Sequence, residues 1–154
     1  MAKIKVRTNF IYLDNRLPTY AHHGDAAMDL RADIESPMLL PPGGRAFLAT
    51  GLYVALAESP ADSWRYALLV LPRSGLALNH GVTVLNTPGL IDETYRGEIR
   101  VILVNHGSKD YVIEPGARIA QAMLVKVEHI EWEVVDQLPD STRGEGGFGS
   151  TGVT

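Results

Sequence analysis

Residues 114–127 of the chain read EPGARIAQAMLVKV, a turn followed by a long β-prone run. Pro115 and Gly116 stand where proline and glycine are favoured in a type II turn. The following run, Arg118 to Val127, is rich in apolar residues and lacks the periodicity of an amphipathic helix. This stretch therefore predicts a tight turn that leads directly into a strand.

The same alternation of turns and strands continues through the rest of the chain. Pro41-Pro42-Gly43-Gly44 predicts a second turn, and the segment between Gly75 and Gly81 predicts one short helix. The other β-rich runs are Arg45 to Leu56, Tyr66 to Leu71, Val82 to Leu85 and Ile99 to Val104. Many short strands at regular spacing indicate an all-β sandwich, jelly roll or barrel.

Composition narrows the class of protein further. A chain of 154 residues with 45% hydrophobic and 21% charged residues fits one globular domain. No apolar run reaches the roughly 18 residues that span a bilayer, and no signal-peptide segment is visible, so we expect a cytoplasmic protein without a membrane partner. The net charge of −4 argues against a nucleic-acid partner. The lack of cysteine excludes thiol catalysis and thiolate metal sites.

The C-terminal segment, residues 143–152, reads RGEGGFGSTG and has five glycines. It carries a high ordering entropy and little apolar surface. Arg143 offers a guanidinium for phosphate, Phe148 offers a ring on which a base can stack, and Gly149 and Ser150 offer groups that can approach an anion. Two interpretations stay open at this point, a lid over a phosphate-bearing ligand and a disordered terminus.

Three further positions combine polar groups with predicted strand ends. Arg73, Ser74 and Gly75 precede the short helix, where Ser74 can be an N-cap and the triplet can form an anion cradle, the interpretation that we favour. Asp29 is either a turn or cap aspartate, favoured when it is taken alone, or a carboxylate near a metal-phosphate site. Gln121 shares a predicted strand face with apolar Ile119 and needs a hydrogen bond, to backbone or ligand.

The segment from Asn86 to Glu98 carries the clearest candidate for acid–base chemistry. The amide of Asn86 both donates and accepts, which suits the edge of a pyrimidine. Asp92 follows two apolar residues, so a partly desolvated general base is expected there, and Tyr95 can lie on a sugar. The common alternative for such a string is an ordinary β-turn with a turn aspartate.

Taken together and in order, these five segments resemble the five motifs of the trimeric dUTPase family. The resemblance covers essentially the whole chain, and all five motifs in order are highly specific. Ala27 and Ala117 depart from the residues usual in motifs one and four, and the segment from Glu58 to Ser63 is longer than is usual. The resemblance implies a distorted jelly roll with one short helix over residues 1–142, and a flexible lid over residues 143–154.

The family resemblance also implies a function. It implies a homotrimer with active sites shared between subunits, which hydrolyses dUTP to dUMP and pyrophosphate with Mg²⁺. This reaction limits uracil in DNA and supplies dUMP for thymidylate synthesis. The residues that it places against the nucleotide are Arg73, Ser74, Gly75, Asn86, Gly89, Leu90, Ile91, Tyr95, Arg100, Gln121, Arg143, Phe148, Gly149 and Ser150.

Roles follow from the same resemblance. Asp92 activates the water that attacks the α-phosphorus, and Asp29 touches metal-bound water. Asn86 reads uracil together with the backbone of residues 89–91, and Tyr95 packs on the deoxyribose. Residues 73–75 and Gln121 bind the phosphate chain. In the lid, Arg143 binds the γ-phosphate and Phe148 stacks on uracil.

Three alternatives stand beside this function. A dCTP deaminase of the same fold would need a glutamate base in place of Asp92 and would not need the glycine-rich tail. A non-catalytic nucleotide-binding module would bind dUTP without releasing pyrophosphate. A purely structural jelly roll would leave five polar motifs unexplained.

Overall fold

The computed structural model of the protein describes residues 3–11, 17–56 and 64–146. Those ranges contain ten strands and one helix. In chain order they are β1 (Lys5–Thr8), β2 (Met28–Arg31), β3 (Met38–Leu40), β4 (Arg45–Ala55), β5 (Arg65–Leu71), α1 (Ser74–His80), β6 (Val82–Val84), β7 (Gly89–Ile91), β8 (Glu98–Asn105), β9 (Tyr111–Ile113) and β10 (Arg118–Val127).

The strands form two four-stranded antiparallel sheets and one small pair. The first sheet has the order β1-β4-β8-β6, the second has the order β2-β10-β5-β7, and β3 pairs with β9. Buried side chains from both larger sheets, such as Leu30, Leu48, Val70 and Val101, belong to one hydrophobic core. The predicted all-β jelly roll with one short helix is confirmed.

The turn and the strand predicted for residues 114–127 are both present. Gly116 has a φ of 74°, a left-handed conformation that glycine adopts without steric cost. The N–H of Ala117 donates to the carbonyl of Glu114 at 3.0 Å and closes the turn. Strand β10 then runs over the predicted residues, Arg118–Val127.

The second sheet sets the positions of most candidate site residues. Asp29 on edge strand β2 pairs with Gln121 on β10, and Gln121 pairs with Leu71 on β5. On the other side of β5, edge strand β7 places Gly89 opposite Val70. Because neighbouring strands lie about 4.8 Å apart, the two edge strands are separated by about 14 Å.

Residues 128–146 contain neither helix nor strand and are exposed. The expected boundary between core and lid, at residues 142 and 143, stays a prediction because residues 147–154 lie outside the described ranges. The long segment noted from Glu58 to Ser63 lies outside them as well. Within the described ranges, no helix has both the length and the apolar character needed to cross a membrane.

Candidate active site

Asp29 is held between two arginines. Arg73 Nε donates to Asp29 Oδ1 at 2.8 Å, and Arg118 Nη1 donates to Oδ2 at 3.3 Å. The Asp29 side chain is 22% exposed, so these charge-assisted hydrogen bonds are partly shielded from water. The turn or cap interpretation favoured from sequence for Asp29 is wrong, since Asp29 lies within β2 and its carboxylate binds guanidinium groups.

The start of α1 brings Arg73, Ser74 and Gly75 beside this carboxylate. Arg73 is the N-cap residue, with extended backbone angles of −95° and 126°, and its carbonyl accepts the N–H of Ala77 at 3.1 Å. No side chain caps the helix. The predicted N-cap role of Ser74 is therefore wrong; Ser74 is the first helical residue and is exposed, as is Gly75.

Gln121 holds the chain that leads into this helix. Its Nε2 donates to the carbonyl of Pro72 at 2.9 Å, so the hydrogen bond predicted for Gln121 goes to backbone. The predicted strand face was wrong in part. A register shift between Arg118 and Ala120 interrupts the alternation, and Ile119 and Ala120 are both buried while Gln121 is half-buried.

Arg118 is a site residue that the sequence reasoning missed. Besides its bond to Asp29, its carbonyl accepts Arg73 Nη1 at 3.4 Å. Arg118 could have been predicted from its place in the sequence, as a cation three residues before Gln121 on the same predicted strand. Its pairing with Asp29 was not visible, because β2 and β10 are about 90 residues apart in the chain.

A second group of residues lines an open cleft of about 540 Å³. The residues around this cleft, which we call the Asp92 cleft, are Phe47, Tyr53, Leu90, Ile91, Asp92, Tyr95, Glu98 and Arg100. Asp92 is exposed, and its backbone carbonyl accepts the N–H of Tyr95 at 3.1 Å in a turn. The expected partial desolvation of Asp92 is therefore wrong for a single chain.

Tyr95 and Arg100 are both fixed by Glu98. The Tyr95 hydroxyl donates to the Glu98 carbonyl at 3.0 Å, with the residue still 42% exposed. Arg100 Nε donates to Glu98 Oε2 at 2.7 Å, and its guanidinium carbon lies 5.0 Å from the centre of the Phe47 ring. The side chains of Tyr95 and Arg100 are thus oriented before any ligand arrives.

The residues predicted to read a pyrimidine lie together at the start of β7. Gly89 is buried, and a Cβ placed on it would lie 3.2 Å from Val70 Cβ and 3.4 Å from Asn86 Nδ2. The Asn86 amide nitrogen therefore lies close to Gly89, and its role in reading a pyrimidine stays a prediction. Leu90 and Asn86 are exposed, and Ile91 is half-buried.

Within the described residues, a single chain does not bring the residues around Asp29 together with the Asp92 cleft. Ile91 pairs with Leu68 in the middle of β5, whereas Arg73 follows five residues later, about 16 Å along the strand direction. The Arg73 side chain also turns toward Asp29, on the edge opposite β7.

The tail residues that the structure describes stay apart from both groups. Arg143 is exposed, and its Nε donates to the Gly146 carbonyl at 2.6 Å within a local turn. Phe148, Gly149 and Ser150 lie outside the described residues. The predicted contacts of the lid with a nucleotide stay predictions.

The fold and its two polar groups define a jelly-roll protein with one arginine-bound carboxylate and one open carboxylate. A sequence model of the dUTPase family matches residues 14–152. The chain is 49% identical over 152 residues to the deoxyuridine 5'-triphosphate nucleotidohydrolase of Dictyoglomus turgidum, covering 97% of this chain and 99% of that protein. The protein of the same name from Rickettsia massiliae is 47% identical over 151 residues, with 98% and 96% covered. The chain belongs to the dUTPase family.

Solved structures show the same fold. The dUTPase of Staphylococcus bacteriophage 80alpha, solved with dUPNHPP, matches with a TM-score of 0.82 at 25% identity, covering 98% of this chain and 99% of that one. A mutant dUTPase from phage phi11 of S. aureus, described with a structural Mg(II) ion, matches with a TM-score of 0.72 at 20% identity, with 88% and 97% covered.

Proposed function

We propose that the protein hydrolyses dUTP to dUMP and pyrophosphate in a Mg²⁺-dependent reaction, and so limits uracil in DNA and supplies dUMP for thymidylate synthesis. The observation that carries this proposal is the near full-length likeness to relatives named deoxyuridine 5'-triphosphate nucleotidohydrolase. The 80alpha phage dUTPase solved with dUPNHPP, a dUTP analogue, supports a nucleotide of this class. The family match also favours this reaction over the deaminase alternative.

The base and sugar bind at the start of β7 and in the Asp92 cleft. The Asn86 amide and the backbone of Gly89, Leu90 and Ile91 offer donors and acceptors to uracil. The contact between Asn86 and Gly89 supports this role. The Tyr95 ring packs on the deoxyribose, and its hydroxyl bond to the Glu98 carbonyl supports a fixed ring that leaves no space for a 2′-hydroxyl.

Arg73, Ser74 and Gly75 bind the phosphate chain. Asp29 holds Arg73 through Nε, and the Arg118 carbonyl accepts from Nη1, so Nη2 is the part of the guanidinium that keeps no acceptor among the described residues and can donate to a phosphate. Gln121 supports this arrangement by fixing the Pro72 carbonyl directly before Arg73. Arg118, the second partner of Asp29, adds positive charge to the same place.

The residues around Asp29 fit a magnesium ion that arrives with the triphosphate. Both Asp29 oxygens already accept an arginine N–H, so direct coordination would compete with two cations. In the described ranges, no three His, Cys, Asp or Glu side chains gather into a metal site. Mg²⁺ retains several waters and takes few protein ligands, and the remaining Asp29 lone pairs can accept from such waters. The ion, when bound, would offset negative charge on the phosphate chain.

Asp92 is the general base. Its exposed carboxylate has no hydrogen-bond partner among the described residues, so it can accept a proton from the attacking water. The water oxygen bonds to the α-phosphorus, and the bond from that phosphorus to the bridging oxygen breaks. Pyrophosphate leaves, and the arginines offset its charge.

The separation of Asp92 from Arg73 supports a shared site. The α-phosphorus has to lie near both residues, but Asp92 follows the end of β7 and Arg73 reaches toward β2. Two copies can bring these groups together if each supplies one of them, as in a homotrimer with three interfacial sites. Arg143, Phe148, Gly149 and Ser150 then close the site as a lid and exclude water.

Pyrophosphate release from dUTP, dTTP, dCTP and UTP, each with Mg²⁺ and with EDTA, tests this function. We expect release from dUTP alone and its loss on chelation. Ammonia release from dCTP would instead establish the deaminase. Tight dUTP binding without pyrophosphate release would establish a binding module.

A further inference from the structure

Glu98 occupies an irregular place in the first sheet. The pairing of β4 with β8 shifts register between Ala49 and Tyr53, and Gly51 within this shift has a φ of 67°. Such a bulge leaves a strand N–H without its ladder partner. Glu98 Oε1 accepts the Gly51 N–H at 2.9 Å, and the Glu98 side chain is only 11% exposed. One carboxylate oxygen is therefore committed to the backbone of β4.

The other oxygen of Glu98 orients Arg100. Oε2 accepts Arg100 Nε at 2.7 Å, and the guanidinium lies over the Phe47 ring. A hydrogen bond at Nε and a stacked ring together fix the plane of the guanidinium. In the part of the chain that the structure describes, the two Nη groups of Arg100 have no acceptor.

The charges around the Asp92 cleft indicate what the oriented Arg100 guanidinium can do. Among the described residues that line the cleft, Arg100 is the one cation, and Asp92 and Glu98 are the two anions. A phosphate that comes close to Asp92 meets a like charge, and the Glu98 charge is already engaged by Gly51 and Arg100. The free Nη edge of Arg100 can offset that repulsion with bidentate hydrogen bonds.

We propose that Glu98 is a positioning residue that holds Arg100 for contact with the phosphate nearest the sugar. This inference rests on the proposed function, because that phosphate is the one attacked by the water that Asp92 activates. Glu98 itself touches no reacting atom. It ties the orientation of Arg100 to the bulge of β4, so the β-sheet determines where the positive charge lies in the cleft.

A double-mutant cycle tests whether Glu98 acts through Arg100. Its three variants are Glu98→Gln, Arg100→Gln and the two together. A glutamine amide has one acceptor oxygen, so Gly51 would keep its partner and Arg100 would lose its own. Each single variant is expected to lower kcat/KM for dUTP by about tenfold, and the double variant by no more than the worse single one. Losses that multiply to about a hundredfold would overturn the inference, since the residues would then act independently.

Inhibition by dUMP and by deoxyuridine separates a phosphate contact from a general effect on the cleft. Arg100→Gln is expected to raise the inhibition constant of dUMP by about tenfold and that of deoxyuridine by less than about twofold. An equal loss for both ligands would contradict a phosphate contact. If Glu98→Gln does not fold, as judged by thermal unfolding, this comparison still tests the proposal because Arg100→Gln leaves the bond from Gly51 to Glu98 intact.

Lys126→Gln provides a matched control. Lys126 Nζ lies 4.0 Å from the centre of the Trp64 ring, so this change also removes a cation stacked on an aromatic ring, but outside the Asp92 cleft. The kcat/KM of the Lys126→Gln variant is expected to stay within about twofold of the value for the parent chain. A parent chain that hydrolyses no dUTP would contradict the proposed function alone, and calorimetric binding of dUMP and deoxyuridine would still decide the role of Arg100.

Discussion

Asp29 and Asp92 are the same kind of residue in opposite surroundings. The Asp29 carboxylate accepts hydrogen bonds from two arginines and lies inside a strand. Asp92 follows the end of β7 and is exposed, and only its backbone takes part in a hydrogen bond among the described residues. A carboxylate bound by guanidinium groups fixes the position of positive charge, whereas a carboxylate without partners can accept a proton. Identical substitutions at the two positions should therefore have different effects.

Asp92→Asn is expected to have the largest effect. The amide cannot accept a proton from water, so kcat for dUTP should fall by about a thousandfold. The affinity for dUPNHPP should change by less than about threefold, because the amide keeps the size of the side chain. Single-turnover kinetics and calorimetry measure these two quantities, and unchanged turnover would remove Asp92 as the general base.

Deletion of residues 143–154 should lower kcat/KM by about a hundredfold. The deletion removes the Arg143 guanidinium and the Phe148 ring, and base stacking alone contributes about 1–3 kcal/mol. The thermal unfolding midpoint should stay close to that of the full chain, since residues 128–146 are exposed and lie outside the sheets. A truncated chain with full activity would show that the tail is not a lid.

Asp29→Asn should have a smaller effect than the same change at Asp92. It weakens the hold on Arg73 without removing the guanidinium, so kcat/KM should fall by about tenfold. Unlike Asp92→Asn, it should also weaken dUPNHPP binding by a similar factor, because the phosphate contacts form in the bound ground state. Titration of both variants with dUPNHPP checks the contrast, and equal affinities would contradict the distinction between the two carboxylates.

The smallest expected effect concerns Tyr111, whose ring lies 4.9 Å from the His80 ring. Burial raises the pKa of the Tyr111 hydroxyl above its ordinary value of 10.0, and the positive charge of Arg73 partly opposes this. The neutral hydroxyl therefore contributes stability that is complete below about pH 10 and is lost as pH rises through the higher folded-state pKa. Urea unfolding at pH 7 and pH 11 should show a weaker alkaline loss for Tyr111→Phe, and an identical loss in both chains would contradict this.

The parts of the fold that local chemistry determines could be predicted from sequence. The turn at Pro115 and Gly116 and the full extent of β10 follow from turn residues and a long β-rich run. The short strands β1, β3 and β9 were not predicted, because their partners rather than their own composition define them.

The candidate site was predictable in its residues but not in its arrangement. The five segments identify most of the polar side chains that the structure places in the two groups. Partners distant in the chain could not be read from spacing, as the bond between Arg118 and Asp29 and the bond between Glu98 and Gly51 show. The opposite edge positions of β2 and β7 likewise depend on sheet order, which no local pattern specifies.

Mixed assemblies test most directly whether the two groups meet between copies. Arg73→Ala and Asp92→Asn chains, each nearly inactive alone, would be unfolded together, refolded as a mixture, and assayed for pyrophosphate release from dUTP. If each site takes Arg73 from one copy and Asp92 from another, random mixing makes about a quarter of the sites intact, so about a quarter of the parent activity should return. A mixture that refolds into the parent assembly but stays as inactive as its components would show that a single chain builds the whole site, and would contradict the account.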